Sequence, residues 1–459
     1  MARSLTEHLQ LVERKYPQWI RRESRPINPQ QHEVAAFFRL EKDREPGSIV
    51  VFDQVSTPSG ARSAFPLVHN VFATRPLCAL ALGEEPSNSQ MDLSIRFGAL
   101  QAAPGEVEIV KRAEAPVLKN VRTDEAADVR MLPAARYHEK DAGDYFVMAC
   151  LMKAKSGDFY DVTPTKNMIF GPRRMSVSAH RHHHLARIIA EYEQDGEAAP
   201  IAVVLGHHPA FYLGSCALMP YGNDDYRTIA SFMREPLRLV PSATLGDGFL
   251  IPADAEIVIE GTVPPGVREH QNPFGEISGH YQKRMLAPVI EVKAICHRDA
   301  AVMEGIMPAY AEHILLGGLP KEGSLYHAIK REVPGLAAVH LFRSGMGRFS
   351  AAISMNKRTF RDVTVAGMIA CTEVKSLKLI IVVDSDVDAF DQNEVMWAVA
   401  TQVRWDKDLT VIPKVQSARP WLGDAVCILD ATHHEDAAEF PEKNRVPEDA
   451  LRRLRTLGF

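Results

Sequence analysis

The sequence predicts a multidomain α/β protein in which two α/β ends flank a strand-rich middle. Three observations carry this reading. The chain has 459 residues, more than one ordinary hydrophobic core accommodates. Between about 137 and 300, short β-like runs recur with turn residues between them. Beyond 301, the apolar run 379–383 ends in Asp384 and is followed by a helical pattern, as in a strand covered on both faces. The expected organisation is an N-terminal α/β domain over 1–136, a barrel-like or sandwich module over 137–300, and a C-terminal α/β domain over 301–459.

Taken in order, residues 4–16 form an amphipathic helix pattern, capped by Ser4 or Thr6 and closed by Pro17. Stretches 34–40 and 48–52 alternate or run apolar, which predicts two strands. A turn at 86–91 leads into a helix over 92–100, ended by Pro104-Gly105. The middle strands are expected at 145–151, 168–169 with 175–177, 201–205, 255–260 and 289–295, and a helix packed on one side at 186–193. Helices follow at 392–403 and 447–457, the last with Pro447 at its first turn.

Composition excludes several classes. The chain is 46% hydrophobic and 24% charged, with a net charge of −5. No basic field marks it as a nucleic-acid or membrane-surface binder. No apolar run is long enough to span a bilayer, and the first residues hold no apolar signal core. Six scattered Cys without a Cys-x-x-Cys motif suggest reduced thiols and a cytoplasmic setting.

The candidate chemistry begins with the stretch 267–281, where Asn272-Pro273 and Gly275 break regular structure beside Glu276. Its carboxylate reads either as a turn residue facing water or as a proton donor and acceptor on a rigid loop. The histidines at 180–184 (His180, His182, His183, His184) are the most conspicuous polar cluster. On a strand, His180, His182 and His184 would share one face, as a metal or proton site or as a polar strand edge. His207-His208 reads as loop. No phosphate loop and no Gly-x-Ser-x-Gly elbow occurs. Asp384, Asp386 and Asp388 lack the Gly and Glu of a calcium loop and read as a solvated strand end.

Four pieces together resemble the UbiD family of decarboxylases, which use prenylated FMN. They are Ile251-Pro-Ala-Asp-Ala-Glu-Ile-Val-Ile-Glu-Gly261, Asn272-Pro-Phe-Gly-Glu276 with Gly279-His-Tyr281, Val382-Val-Asp-Ser-Asp-Val-Asp388 with Glu394-Val-Met-Trp-Ala398, and Asp430-Ala-Thr432. The resemblance implies a split β-barrel for the flavin between two α/β domains. It also implies a homodimer or larger homo-oligomer and a flavin prenyltransferase as cofactor supplier.

Carried over residue by residue, the family's proton-handling Glu falls on Glu276, its first Glu on Gln271 and its Arg on Lys166. The metal-binding positions fall on Asp161, His184 and Arg238, and Met219 lies in the cofactor-binding stretch. Manganese and potassium are implied with the flavin. One register later, Asn167 with Arg173 or Arg174 are rivals. Since Arg cannot bind a divalent ion, a salt bridge between Asp161 and Arg238 is expected to replace the metal.

Two functions follow. One is non-oxidative decarboxylation of an aromatic, heteroaromatic or α,β-unsaturated acid, with Glu276 supplying the proton and Lys166 holding the carboxylate. The other is a flavin-free hydrolase or lyase on the same fold, using Glu276, Lys166 and the 180–184 histidines. A non-catalytic subunit is a third reading.

Overall fold

The structure is a computed structural model that describes residues 2–41, 47–180, 183–415, 423–433, 443–444 and 446–457. Six antiparallel strands close a barrel at its centre. In ring order they are Tyr145–Lys153, Tyr160–Gly171, Arg174–Ser176, Met285–His297, Ile257–Val263 and Ala199–Val204, the last pairing back to the first. Closure leaves this ring without a free edge. Each predicted middle strand overlaps one of these elements, with ends differing by one or two residues at 177, 205 and 255–256.

The N-terminal part holds a four-stranded sheet in the order Ile20–Glu23, Ile49–Phe52, Leu67–His69 and Met303–Glu304. Its last strand comes from beyond residue 300. Conversely, Val107–Ile109 and Asn120–Thr123 pair with strands of the middle. The sheets therefore interleave across the boundaries read at 136 and 300.

The C-terminal sheet has five strands, in the order Leu336–Leu341, Ser350–Met355, Leu379–Asp384, Val426–Ala431 and Leu409–Ile412. The central strand Leu379–Asp384 is parallel to both neighbours. Ile380 and Val382 enter one apolar cluster and Ile381 and Val383 another. Burial on both faces explains why this strand reads as an unbroken apolar run.

Residues 34–40 are a helix, Glu33–Glu41, rather than the expected strand. Val34 and Phe38, four apart, are its buried residues, so the apolar run serves one helical face. The first helix, Leu5–Lys15, is capped by Ser4, whose side chain accepts from Glu7 N.

The helix Ala311–Glu332 joins the two ends of the molecule. Its buried Glu322 accepts from Arg75 Nη1 and Ser94 Oγ at 2.7 Å, lies 2.8 Å from His340 Nδ1 and accepts from Leu341 N at 2.9 Å. The Arg75 charge and these bonds outweigh burial and hold the carboxyl well below the usual range. One carboxylate thus ties the helix to both flanking units. Among the described residues, no helix is long and apolar enough to cross a membrane.

Candidate active site

A cavity of about 580 Å³ opens between the barrel, the loop after the helix Pro209–Ser215, and the helix Ala311–Glu332. Lys166, Glu276, Asp161, His184 and Met219 all line it, while Gln271 and Arg238 do not.

The stretch around Glu276 is more regular than its breaker residues suggest. Arg268–Gln271 is a strand on Met285–His297, and Phe274–Gly275 pairs with Tyr281–Gln282. The loop is clamped from one side. Asp141 accepts from Tyr137 N, His138 N and Gly275 N at 2.9–3.1 Å, and Ala142 N donates to Pro273 O. A Cβ on Gly275 would lie 2.2 Å from His138 Nδ1, so only glycine permits this approach. Glu276 N donates to His280 O at 2.9 Å, which fixes the carboxylate's base.

Lys166 leaves the barrel strand Tyr160–Gly171 and meets this loop. Its Nζ is 3.6 Å from Glu276 Oε1 and 4.6 Å from the centroid of the Phe274 ring. It also donates to Gln282 Oε1. Gln282 is a hub, accepting from Asn272 Nδ2 at 2.9 Å and lying 3.1 Å from His180 Nε2. The residue that orients Lys166 is therefore Gln282 rather than Gln271. Gln271 is fully buried, with neither amide atom hydrogen-bonded.

The expected Asp161–Arg238 salt bridge is not formed. Arg238 pairs with Asp254 at 2.6 Å and donates to Glu114 O at 2.7 Å. Its strand, Leu237–Pro241, lies in a separate sheet with Val107–Ile109, which carries the guanidinium away from the cavity. Asp161 instead meets His184 Nδ1 at 3.1 Å and accepts from Thr163 Oγ1 at 2.7 Å. The acidic group beside them is Asp225, in the first turn of the helix Asp225–Met233.

Burial raises the Asp161 carboxyl, with the Thr163 and His184 contacts opposing. Burial and then the charge of Asp161 push Asp225 well above the usual carboxylate range. Among the described residues, no group of three or more His, Cys, Asp or Glu stands ready-made at metal spacing. Even so, a buried and a half-buried carboxylate that repel one another beside an imidazole are a donor set that suits a divalent cation. With Arg238 paired to Asp254, the expected replacement of the metal by an Asp161–Arg238 salt bridge does not stand.

The histidine cluster does not form a strand face. Arg181 and His182 lie outside the described residues. His183 precedes and His184 opens the helix His184–Gln194, while His180 stands against His183 at 5.2 Å between ring centroids. His207 and His208 are buried, and His208 caps the helix Pro209–Ser215 by accepting from Ala210 N. Asn167 is buried in the barrel wall against Cys150 and Ser176, and Arg174 pairs with Glu269. Neither they nor Arg173 lines the cavity.

Asp225 and Gln282 were missed. An acidic pair, Asp224-Asp225, at a helix start shortly after Met219-Pro220 was the available signal for the first. Gln282 carried none, because its role depends on hairpin pairing.

The model of the 3-octaprenyl-4-hydroxybenzoate carboxy-lyase Rift-related domain matches residues 108–311, and the model of the C-terminal domain of that enzyme family matches 314–419. Anhydromevalonate phosphate decarboxylase of Methanothermobacter thermautotrophicus is 33% identical over 289 residues, covering 62% of this chain and 67% of that protein. The chain belongs to the UbiD family of carboxy-lyases. Among other UbiD relatives, a phenolic acid decarboxylase of Streptomyces sp. (strain D7) is 30% identical over 405 residues, 83% of this chain and 82% of that one. The UbiD-class enzyme HmfF of Pelotomaculum thermopropionicum, in complex with FMN, superposes with a TM-score of 0.90 at 30% identity, covering 99% of both chains. An evolved dimeric form of HmfF, in complex with prFMN, gives 0.88 at 29% identity over 98% of both. The mixed α/β architecture with its closed barrel is thus that of UbiD-class enzymes.

Proposed function

We propose that this protein removes CO₂, without net oxidation, from an aromatic, heteroaromatic or α,β-unsaturated carboxylic acid, with Glu276 as the proton donor. The observation that carries the reading is the 3.6 Å pair of Lys166 and Glu276 at a cavity with an apolar wall of Phe274 and Ile277. Relatives that act as phenolic acid and anhydromevalonate phosphate decarboxylases support the reaction class.

Lys166 binds the substrate carboxylate as a point charge, steadied by Gln282. The substrate carboxylate is thereby held beside Glu276, the group that supplies the proton. The C–C bond breaks, CO₂ departs, and the electron pair stays on the ring or alkene carbon. Glu276 then delivers its proton there and is recharged from solvent. Phe274 and Ile277 keep bulk water from that carbon.

Prenylated FMN, as HmfF supports, supplies the electron sink when bound. Asp161, His184 and Asp225 would hold a divalent cation, manganese by family resemblance with potassium beside it, and Met219 borders that end of the cavity. The cation would take the place of the present Asp161–His184 contact. The evolved dimeric form of HmfF supports a homodimer or larger assembly for this chain. By family resemblance, a flavin prenyltransferase supplies the cofactor.

Co-expression with a flavin prenyltransferase, then absorption and native mass spectra, tests the reading. A stoichiometric prenylated flavin and CO₂ release from an acid of this class are expected. A colourless, cofactor-free chain that releases no CO₂ overturns it.

A further inference from the structure

The cavity has a second charged wall that the decarboxylation chemistry does not use. Lys321 sits on the helix Ala311–Glu332, and Arg348 comes from the turn before the strand Ser350–Met355. Both line the cavity, with Leu316, Gly317 and Pro320 between barrel and helix. They converge on one residue. Lys321 Nζ donates to Gly317 O at 2.5 Å. The Arg348 guanidinium lies so close over Gly317 that a Cβ there would be 1.8 Å from Nη1 and 2.4 Å from Cζ. Glycine in mid-helix is disfavoured relative to alanine, and here its bare Cα admits the guanidinium.

Two cations held at one point repel each other. Burial and the Arg348 charge together push the Lys321 ammonium down to about 7. Burial pushes the thiol of Cys216, on the same wall, up to about 11, against both of these charges. His313, one turn earlier on the helix, borders the cavity too. Its Nδ1 accepts from Ala309 N at 3.2 Å, which leaves Nε2 as the proton-bearing nitrogen. An ammonium beside a planar guanidinium matches the oxygens of a carboxylate or phosphate.

We infer that Lys321 and Arg348 form a subsite for a second anionic oxygen group on the substrate, so that the preferred acid is a dianion. This rests on the proposed decarboxylase reading, in which Lys166 holds the carboxylate that is lost. It narrows the substrate class to acids carrying a second carboxylate or a phosphate-type group.

The test compares equilibrium binding of benzoate, benzene-1,3- and 1,4-dicarboxylate and 4-phosphonobenzoate to the flavin-loaded protein. Wild type, Lys321→Met, Lys321→Arg and Arg348→Met are used, each checked for flavin retention by native mass spectrometry. At least one dianion is expected to bind about tenfold or more tightly than benzoate, since a charge-assisted pair contributes about 1.5–3 kcal/mol. Which dianion wins separates a carboxylate from a phosphate-type partner. Lys321→Met and Arg348→Met should erase the advantage and leave benzoate unchanged, while Lys321→Arg keeps it.

Equal binding of all four acids overturns the subsite, as does an advantage that survives both Met variants. Loss of flavin in Lys321→Met or Arg348→Met also overturns it, because the cations would then serve the cofactor. CO₂ release is scored separately. Turnover of monoacids with no dianion advantage sinks the subsite alone. A dianion advantage with no CO₂ release from any acid sinks the decarboxylase reading alone.

Discussion

Lys166 Nζ stands 3.6 Å from Glu276 Oε1, although the two residues belong to different structural units. Lys166 is fixed by the closed barrel, and Glu276 by a hairpin that folds back on 137–142. The pair forms only if the hairpin is seated at the correct height over the barrel mouth. The seating depends on Asp141 and on the absence of a side chain at Gly275.

Gly275→Ala should therefore impair turnover without unfolding the protein. The added methyl would meet His138 Nδ1 at 2.2 Å and displace the hairpin from Lys166. A fall in kcat/KM of about a hundredfold is expected, with circular dichroism unchanged. The double variant Gly275→Ala/His138→Ala should recover much of the loss. Full activity in Gly275→Ala would show that the hairpin's height does not matter.

Asp225 should matter for cation binding. Asp161 and Asp225 both hold protons more tightly than ordinary carboxylates. A divalent cation must displace those protons, so its affinity rises with pH and binding releases protons. Manganese calorimetry at pH 6 and pH 8 should show tighter binding at pH 8. Asp225→Asn should weaken it by about tenfold or more. Unchanged affinity in that variant would remove Asp225 from the site.

Three buried histidines set the acid limit of the fold. Burial lowers His8 to about 4 and His207 to about 3, and burial with the charge of His8 holds His208 well below its usual value. His8 and His208 meet edge to face at 5.0 Å between centroids. Below the unfolded histidine value of about 6.5 the unfolded chain binds more protons than the folded one. Stability is then present above about pH 6.5 and declines as pH falls toward 4. Each histidine contributes a slope of about 1.4 kcal/mol per pH unit in that window. Urea unfolding between pH 7 and 5 should show it, and His8→Phe should reduce the slope by about that amount. An identical slope in His8→Phe would contradict the assignment.

The sequence made the scaffold legible wherever burial is periodic. The barrel strands, the doubly covered strand Leu379–Asp384 and the capped helix Leu5–Lys15 all announce themselves by pattern. It misled at Val34 and Phe38, where one apolar run fits two periodicities and tertiary packing chose the helix. At the site, Glu276 and Lys166 came from the family resemblance, residue by residue, and the fold brings both to the cavity wall. Arg238 misled because a residue-by-residue match to a metal-binding position says nothing about which sheet the strand joins. Asp225, Gln282, Lys321 and Arg348 were hidden, since each acquires its role only when separate elements close around one cavity.

On the proposed function, Glu276 delivers the proton to the carbon that loses CO₂. The most direct measurement follows product formation in D₂O by flavin-loaded wild type and Glu276→Gln. One deuterium is expected at that carbon in the wild-type product. Glu276→Gln is expected to keep its flavin and its acid binding but to lose turnover and exchange at that carbon by about a hundredfold or more. Turnover of Glu276→Gln within about tenfold of wild type would contradict it, because that proton would then come from another group.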